Sequence, residues 1–341
     1  MATRLLDEQE LARLVTLPVD ACGEVLGHAG LVGLATDFRA SRYLEQSIIG
    51  AQLDDLIILM RAASDGRRFL QYWTLRFEMS NLKAIVRGRL SGTPASVIRR
   101  ELSSLGFLQH LPVDDLLSTE NFEELMRRLE STPYGDMVRF ARRASGAQPG
   151  LIEPGLIEHS LFDFDAALDR RFYHGLTEQA RPLEESLGLP FRRLMEWLID
   201  RVNLNWLLRF RFTYALPPAQ VYYMLVPSQY RLSSGVLKDL SPLTRLEDVL
   251  ASLPQPYRGW LHGKNDVNAT STALDAHVAG EMRALLRSAA PAFARAFAYL
   301  VLRDRDLRRI RAILKGRSLG LDTPVIAQAA GLDEQQIGRA A

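Results

Sequence analysis

The chain predicts an all-α protein, and three observations carry that prediction. Apolar residues recur at helical spacing along its 341 residues, with short Pro/Gly breaks between the runs. No stretch combines strand-like alternation with a nucleophile elbow or a glycine-rich phosphate loop. One helical pattern occurs three times, as Glu78–Arg89, Asp200–Arg211 and Asp306–Arg317, each copy more than a hundred residues from the last. Repeats that long are whole helical bundles, not the short units of a solenoid.

Each copy opens with an acid (Glu78, Asp200, Asp306). Asn81, Asn203 or Arg309 follows three residues later, then Leu82, Leu204 or Ile310. Next come Ile85, Leu207 or Ile313, a base (Arg87, Arg209, Lys315) and a closing arginine (Arg89, Arg211, Arg317). A phenylalanine (Phe69, Phe191, Phe297) stands nine residues before each acid. At about 100° per residue, the acid, the Asn position and the closing arginine fall along one stripe, while the middle base points the other way. Acid and closing arginine lie roughly 16 Å apart along the axis, too far to pair within one helix. Pairing between neighbouring copies is therefore expected. The opposite-side bases Arg87, Arg209 and Lys315 are candidate partner contacts; the blander alternative is that they are solvated or locally paired.

With these residues in view, the chain resembles the C subunit of bacterial and archaeal V/A-type rotary ATPases, equivalent to the d subunit of the eukaryotic vacuolar enzyme. The resemblance rests on acid-x-x-Asn-Leu running into Ile-x-Arg-x-Arg, as at Glu78–Arg89 and Asp200–Arg211. It rests also on the acid-rich last helix, from Arg303-Asp304-Arg305-Asp306 to Ile313-Leu314-Lys315-Gly316-Arg317. Leu-Asp pairs at Leu168-Asp169 and Leu274-Asp275 open the earlier helix of a repeat; the first repeat offers Leu44-Glu45 instead. Arg309 departs from the pattern, since an Asn is expected there. The resemblance covers roughly residues 42–332. It implies three similar helical bundles around a pseudo-threefold axis, forming a funnel on the cytoplasmic face of the membrane. The foot of the central shaft would insert in the funnel's cavity and the proteolipid ring would lie beneath it.

Composition sets the outer bounds. A 47% hydrophobic, 24% charged chain of this length is that of a globular protein with a sizeable core. A net charge of +2 gives no general drive toward nucleic acid or a membrane surface. Cys22 is the single cysteine, so no intrachain disulfide can form, which fits a reducing compartment. The N-terminus has no apolar signal core, and no apolar run reaches the ~18–20 residues of a membrane span. Membrane association is expected only indirectly, through a partner.

Along the chain, residues 1–41 read as an N-terminal helical segment of unassigned role. Its Gly27-His-Ala-Gly30-Leu-Val-Gly33 run has the wrong glycine spacing for a dinucleotide fingerprint. Residues 42–150 form the first repeat, with a break at Ser64-Asp-Gly66. Thr93 is a plausible N-cap before Pro94, and Ser118-Thr-Glu-Asn121 opens a further helix. Ser145–Gly150 reads as a boundary. Residues 151–262 form the second repeat, whose Phe162, Phe164, Leu168, Phe172 and Tyr173 read as core. Its motif helix is expected to end before Pro217-Pro218. Residues 263–332 form the third, and 333–341 a polar tail.

No catalytic, cofactor or metal site emerges. The histidines stand singly, without metal-ligand spacing. Asp165 and Asp169 resemble the carboxylates of a metal-dependent prenyl enzyme only superficially, and ion pairing, with Arg170 and Arg171 alongside, is the simpler reading. Gly259-Trp-Leu-His-Gly-Lys264-Asn265 has three residues between its glycines where a phosphate loop needs four. The expected function is therefore that of a non-catalytic rotor-coupling subunit between the central shaft and the proteolipid ring. A helical-repeat adaptor for an unrelated protein is the alternative, and an all-α metal enzyme on Asp165/Asp169 the third.

Overall fold

The computed structural model describes residues 4–31, 34, 41–62, 66–145 and 154–332. Val32-Gly33, Ser64-Asp65, the boundary at 146–150 and the tail 333–341 lie outside them. Among the described residues every regular element is helical. The helices are α1 (Glu8–Thr16), α2 (Gly23–His28), α3 (Ser41–Ala62), α4 (Arg67–Leu90), α5 (Ala95–Glu101) and α6 (Val113–Leu117). Then come α7 (Phe122–Glu130), α8 (Gly135–Ser145), α9 (Pro154–Leu187), α10 (Leu189–Leu208), α11 (Pro218–Met224) and α12 (Ser234–Leu240). The last are α13 (Leu246–Ser252), α14 (Tyr257–Trp260), α15 (Val267–Arg287), α16 (Ala292–Ser318) and α17 (Thr323–Ala330). No helix among the described residues is long and apolar enough to cross a membrane.

Local chemistry explains the boundaries. Asp7 and Glu10 form a reciprocal capping box on α1, and Asn121 accepts from the Glu124 amide to cap α7 as its sequence suggests. Gly188 takes φ 69° between α9 and α10, a conformation only glycine adopts cheaply, and Pro190 sits in the first turn of α10. Thr93 does not cap α5. Gly92 at φ 68° ends α4 in a tight turn that returns the Thr93 amide to the Gly88 carbonyl, and the Thr93 hydroxyl meets Ser91 instead. The second motif helix ends before Pro217-Pro218 as expected, but not in α geometry throughout. It leaves α geometry at Arg209 and continues as a π turn to Thr213, before Pro217.

The chain divides into two compact units. One comprises Met1–Arg67 and Glu281–Ala341. Its core joins Leu6, Leu11, Leu14, Val25 and Leu26 to Leu44 and Ile48 of α3, Leu307, Ile310 and Ile313 of α16, and Ile326 of α17. Helices α3 and α16 run antiparallel, with Glu45 beside Arg311, Gln52 beside Asp304 and Asp55 beside Arg303 and Tyr299. Where α3 gives way to α4, the Phe293 ring lies where a Cβ on Gly66 would be, so no larger residue fits without rearrangement.

The other unit is Arg68–Gly280. Here α9 packs antiparallel to α4, through Tyr72 stacked on Phe172 at 5.5 Å, and against α10, through Tyr173 edge-on to Trp206 at 5.7 Å. Phe164, Leu168 and Phe172 are buried as expected of a core stripe. Phe162 and Tyr173 are half-buried and extend the aromatic packing to Phe210 and Trp206. Gly259 lies inside α14, within an ordinary helical turn.

Candidate functional site

The three motif helices are α4, α10 and α16. In each, the acid is buried and binds backbone amides of a distant loop. Glu78 accepts from the amides of His110 and Leu111 at 2.8–3.0 Å and from the Tyr134 hydroxyl at 2.7 Å. Asp200 accepts from the Leu232 amide at 3.1 Å and the Tyr257 hydroxyl at 2.9 Å. Asp306 accepts from the Leu6 amide at 3.1 Å, with Arg283 and Arg305 each 3.9 Å from its other oxygen. Burial pushes the Asp200 carboxyl up to about 7, against the Leu232 and Tyr257 hydrogen bonds. Burial raises Asp306 as well, opposed by Arg283, the Leu6 amide and Arg305.

The Asn position is a two-point backbone clamp. Asn81 donates to the Ser103 carbonyl and accepts from the Ser103 amide, both at 2.8 Å. Asn203 does the same to Val226, at 3.0 and 2.8 Å. Arg309 reaches the corresponding loop by a different chemistry. Its Nε donates to the Ala330 carbonyl at 2.6 Å, and a guanidinium cannot accept from the amide as Asn does. Its two Nη groups instead take the Glu8 carboxylate in a fork. Burial pushes the Glu8 carboxyl up, yet its bond to Arg309 and the charges of Arg309, Arg305 and Arg283 hold it below its ordinary value.

The closing arginines also hold loops, by their carbonyls. Arg89 donates to Thr119, Arg211 to Leu216 at 2.8 Å and Leu243 at 3.2 Å, and Arg317 to Leu14 and Leu17. They do not pair with motif acids of adjoining copies, as their alternation in sequence suggests. The acids are already engaged by loop amides and, in two copies, a tyrosine hydroxyl, and carbonyl oxygens lie nearer the arginine tips. Arg211→Ala is accordingly expected to lower stability by about 1–3 kcal/mol, since it strips a charged donor from two half-buried carbonyls. Arg87→Ala should change it by less than about 1 kcal/mol, because that exposed side chain only pairs with Asp165. Equal denaturation midpoints for the two variants would exclude the clamp.

Cross-repeat ion pairs exist, but on other residues. Lys83 meets Asp169 at 2.7 Å, Arg201 meets Asp275 at 3.1 Å and Arg311 meets Glu45 at 2.7 Å. The acids are those of the Leu-Asp and Leu-Glu pairs. The bases follow the motif acids by one or five residues. Asp165 and Asp169 are thus neutralised by Arg87 and Lys83 of α4, not by Arg170 and Arg171. Arg170 donates to the Leu225 carbonyl and lies over Phe140, and Arg171 meets Asp136 and Glu178.

The opposite-side bases Arg87, Arg209 and Lys315 are all exposed. Arg87 is held by Asp165 at 2.9 Å and Arg209 by the Tyr214 hydroxyl at 3.1 Å, while Lys315 forms no ion pair among the described residues.

The N-terminal segment is the part that sequence reasoning leaves unassigned. Leu6 serves Asp306 as Leu111 serves Glu78 and Leu232 serves Asp200, and all three leucines are buried. Leu14 and Leu17 serve Arg317 as Thr119 serves Arg89 and Leu243 serves Arg211.

Among the described residues the protein is all-helical, and recurring polar side chains fasten distant loops to three of its long helices. A family model described as ATP synthase (C/AC39) subunit matches residues 1–329, and the chain belongs to that family. It is similar to the C subunit of the A-type ATP synthase of Thermococcus kodakarensis, 25% identical over 285 residues, covering 81% of this chain and 70% of the relative. Its counterpart in Thermococcus onnurineus is 24% identical, covering 85% and 74%. That of Halobacterium salinarum is 23% identical, covering 84% and 82%. The protein is a subunit of a rotary ATP synthase complex, and its partners are other subunits of that complex.

Proposed function

We propose that this chain is the rotor-coupling subunit that joins the central shaft to the membrane proteolipid ring and transmits torque between ATP turnover and ion flow. It does so without catalysing either reaction. The observation that carries the reading is the use made of the motif. In all three copies the acid and the closing arginine hold loop backbone onto a long helix, the disposition of a part that must resist twisting. Support for three bundles closed into a funnel comes from the order of the cross-repeat pairs. Motif helix α4 pairs with the acid opening the second repeat, α10 with that of the third, and α16 with Glu45 of the first. In this reading the N-terminal residues complete the third bundle and are not a separate segment.

The protein would sit on the cytoplasmic face of the cell membrane, held there through the ring. The test is purification of the assembled ATPase from cells producing a tagged chain. Shaft and ring subunits are expected to copurify, and removing the chain should leave ATP hydrolysis that no longer drives ions. The isolated chain should show no ATPase activity. Hydrolysis abolished by Lys264→Ala, or unimpaired ion pumping without the chain, would overturn the reading.

A further inference from the structure

The three motif helices begin in an electrostatically unfavourable way. The N-terminus of a helix carries partial positive charge and favours acids in its first turn. Helices α4, α10 and α16 have no acid there and carry arginines instead: Arg67 and Arg68, Arg192, and Arg295. All are exposed.

Among the described residues, the surroundings supply only part of the missing negative charge. In the Arg68–Gly280 unit, the antiparallel packing of α9 on α4 and α10 brings Arg68, Arg181, Arg192 and Arg193 to the end marked by the Gly188 turn. All four are exposed and form no ion pair among the described residues. Of the acids there, Glu178 is taken by Arg171, Glu196 by Arg231 and Glu184 by the Tyr230 hydroxyl. Glu184 keeps its charge beside that neutral hydroxyl, so Glu184 and exposed Glu185 offset the four arginines only in part. In the other unit, the antiparallel pairing of α3 and α16 and the seat of Gly66 on Phe293 bring Arg61, Arg67 and Arg295 to one end. They too are exposed and unpaired among the described residues. The same polarity therefore arises separately in each unit.

We propose that the Gly188 end of the Arg68–Gly280 unit, where α4 and α10 begin, is a docking surface for a carboxylate-rich face of another subunit of the complex. The proposal rests on the coupling reading above and names the chemistry of the contact. Arginine, with its planar fork of donors, suits carboxylate pairing, and unpaired arginines at helix N-termini are a local penalty that acidic neighbours relieve. An acidic protein face fits better than a lipid surface. Leu189, 67% exposed, is the lone large exposed hydrophobic side chain among the described residues at the Gly188 end, so the surface lacks the apolar face and aromatic anchors that insert into a membrane interface.

The test uses the full chain with Arg68, Arg181, Arg192 and Arg193 all changed to Glu, beside the same four changed to Gln. Each is titrated onto the remaining subunits, purified from cells lacking this chain, at low and at raised salt. The wild type is expected to bind and to weaken as salt rises. The Glu set should bind at least about tenfold more weakly, with the Gln set between. The unfolding midpoint of the Gln set should stay level, since the four side chains are exposed and form no ion pair among the described residues. Affinity and salt dependence equal to wild type in the Glu set would overturn the docking surface and leave the coupling reading standing. No binding by the wild type would overturn both. A midpoint lowered in step with binding would assign the loss to the fold, and capture by phosphatidylglycerol vesicles with assembly unchanged would assign the surface to lipid; either result overturns the proposal.

Discussion

Asp55→Ala is expected to lower the stability of the protein by about 3–5 kcal/mol, the usual result of removing one partner from a buried ion pair. Asp55 is fully buried on α3. Its carboxylate takes Arg303 Nε at 3.1 Å, Arg4 Nη1 at 2.9 Å and the Tyr299 hydroxyl at 2.8 Å. Arg303 is only 1% exposed, and its remaining donors go to the carbonyls of Arg4 and Ala29. Truncating the acid therefore strands a buried guanidinium, whereas Arg4 is half-exposed and can turn to water. The double variant Asp55→Ala/Arg303→Met should recover part of the loss, because it removes the orphaned charge as well. Denaturant titration of the full chain checks both. A single-variant loss under about 1 kcal/mol, or a double variant less stable than the single, would show that the charge pairing is not what this network supplies.

Much of the fold is legible from periodicity, because long amphipathic helices write their buried face into i, i+3, i+4 spacing and end at glycine and proline. The motif stripe is legible for the same reason. Its partners are not. Asn81, Arg89, Asn203 and Arg211 bind backbone amides and carbonyls, which every residue carries, so no side-chain pattern marks where the other half of the contact lies. The contact of Leu6 with Asp306 spans 300 residues, beyond any local signal, and only the folded chain shows what the N-terminal segment does. Alternating signs point to charge pairing between repeats, but they do not tell which acid meets which base. Arg309 is the instructive exception. Its departure from Asn becomes intelligible once Glu8, brought in from the other end of the chain, is seen to satisfy the fork.

The second large effect is a pH dependence located at Asp200. This carboxyl is fully buried, and both of its hydrogen bonds fall on one oxygen, the other having no partner among the described residues. Burial is the main cause of its rise to about 7, helped by the Glu196 charge and opposed by the Leu232 amide, the Tyr257 hydroxyl and Arg231. In the unfolded chain the group returns to an ordinary value near 3.8, so between the two the folded state keeps a proton that the unfolded state has released. Its contribution is therefore fully present below about pH 4 and is lost as pH rises through 7, by on the order of 4 kcal/mol in total. Asp200→Asn removes the titration while keeping an oxygen for the Leu232 amide and the Tyr257 hydroxyl. The variant should match the wild type near pH 4 and exceed it increasingly as pH rises toward 7, with the difference level from there to pH 8. Asp200→Ala, which abandons both donors, should be less stable than Asp200→Asn at every pH. Wild type and Asp200→Asn tracking each other from pH 5 to pH 8 would mean that Asp200 ionises normally in the folded protein.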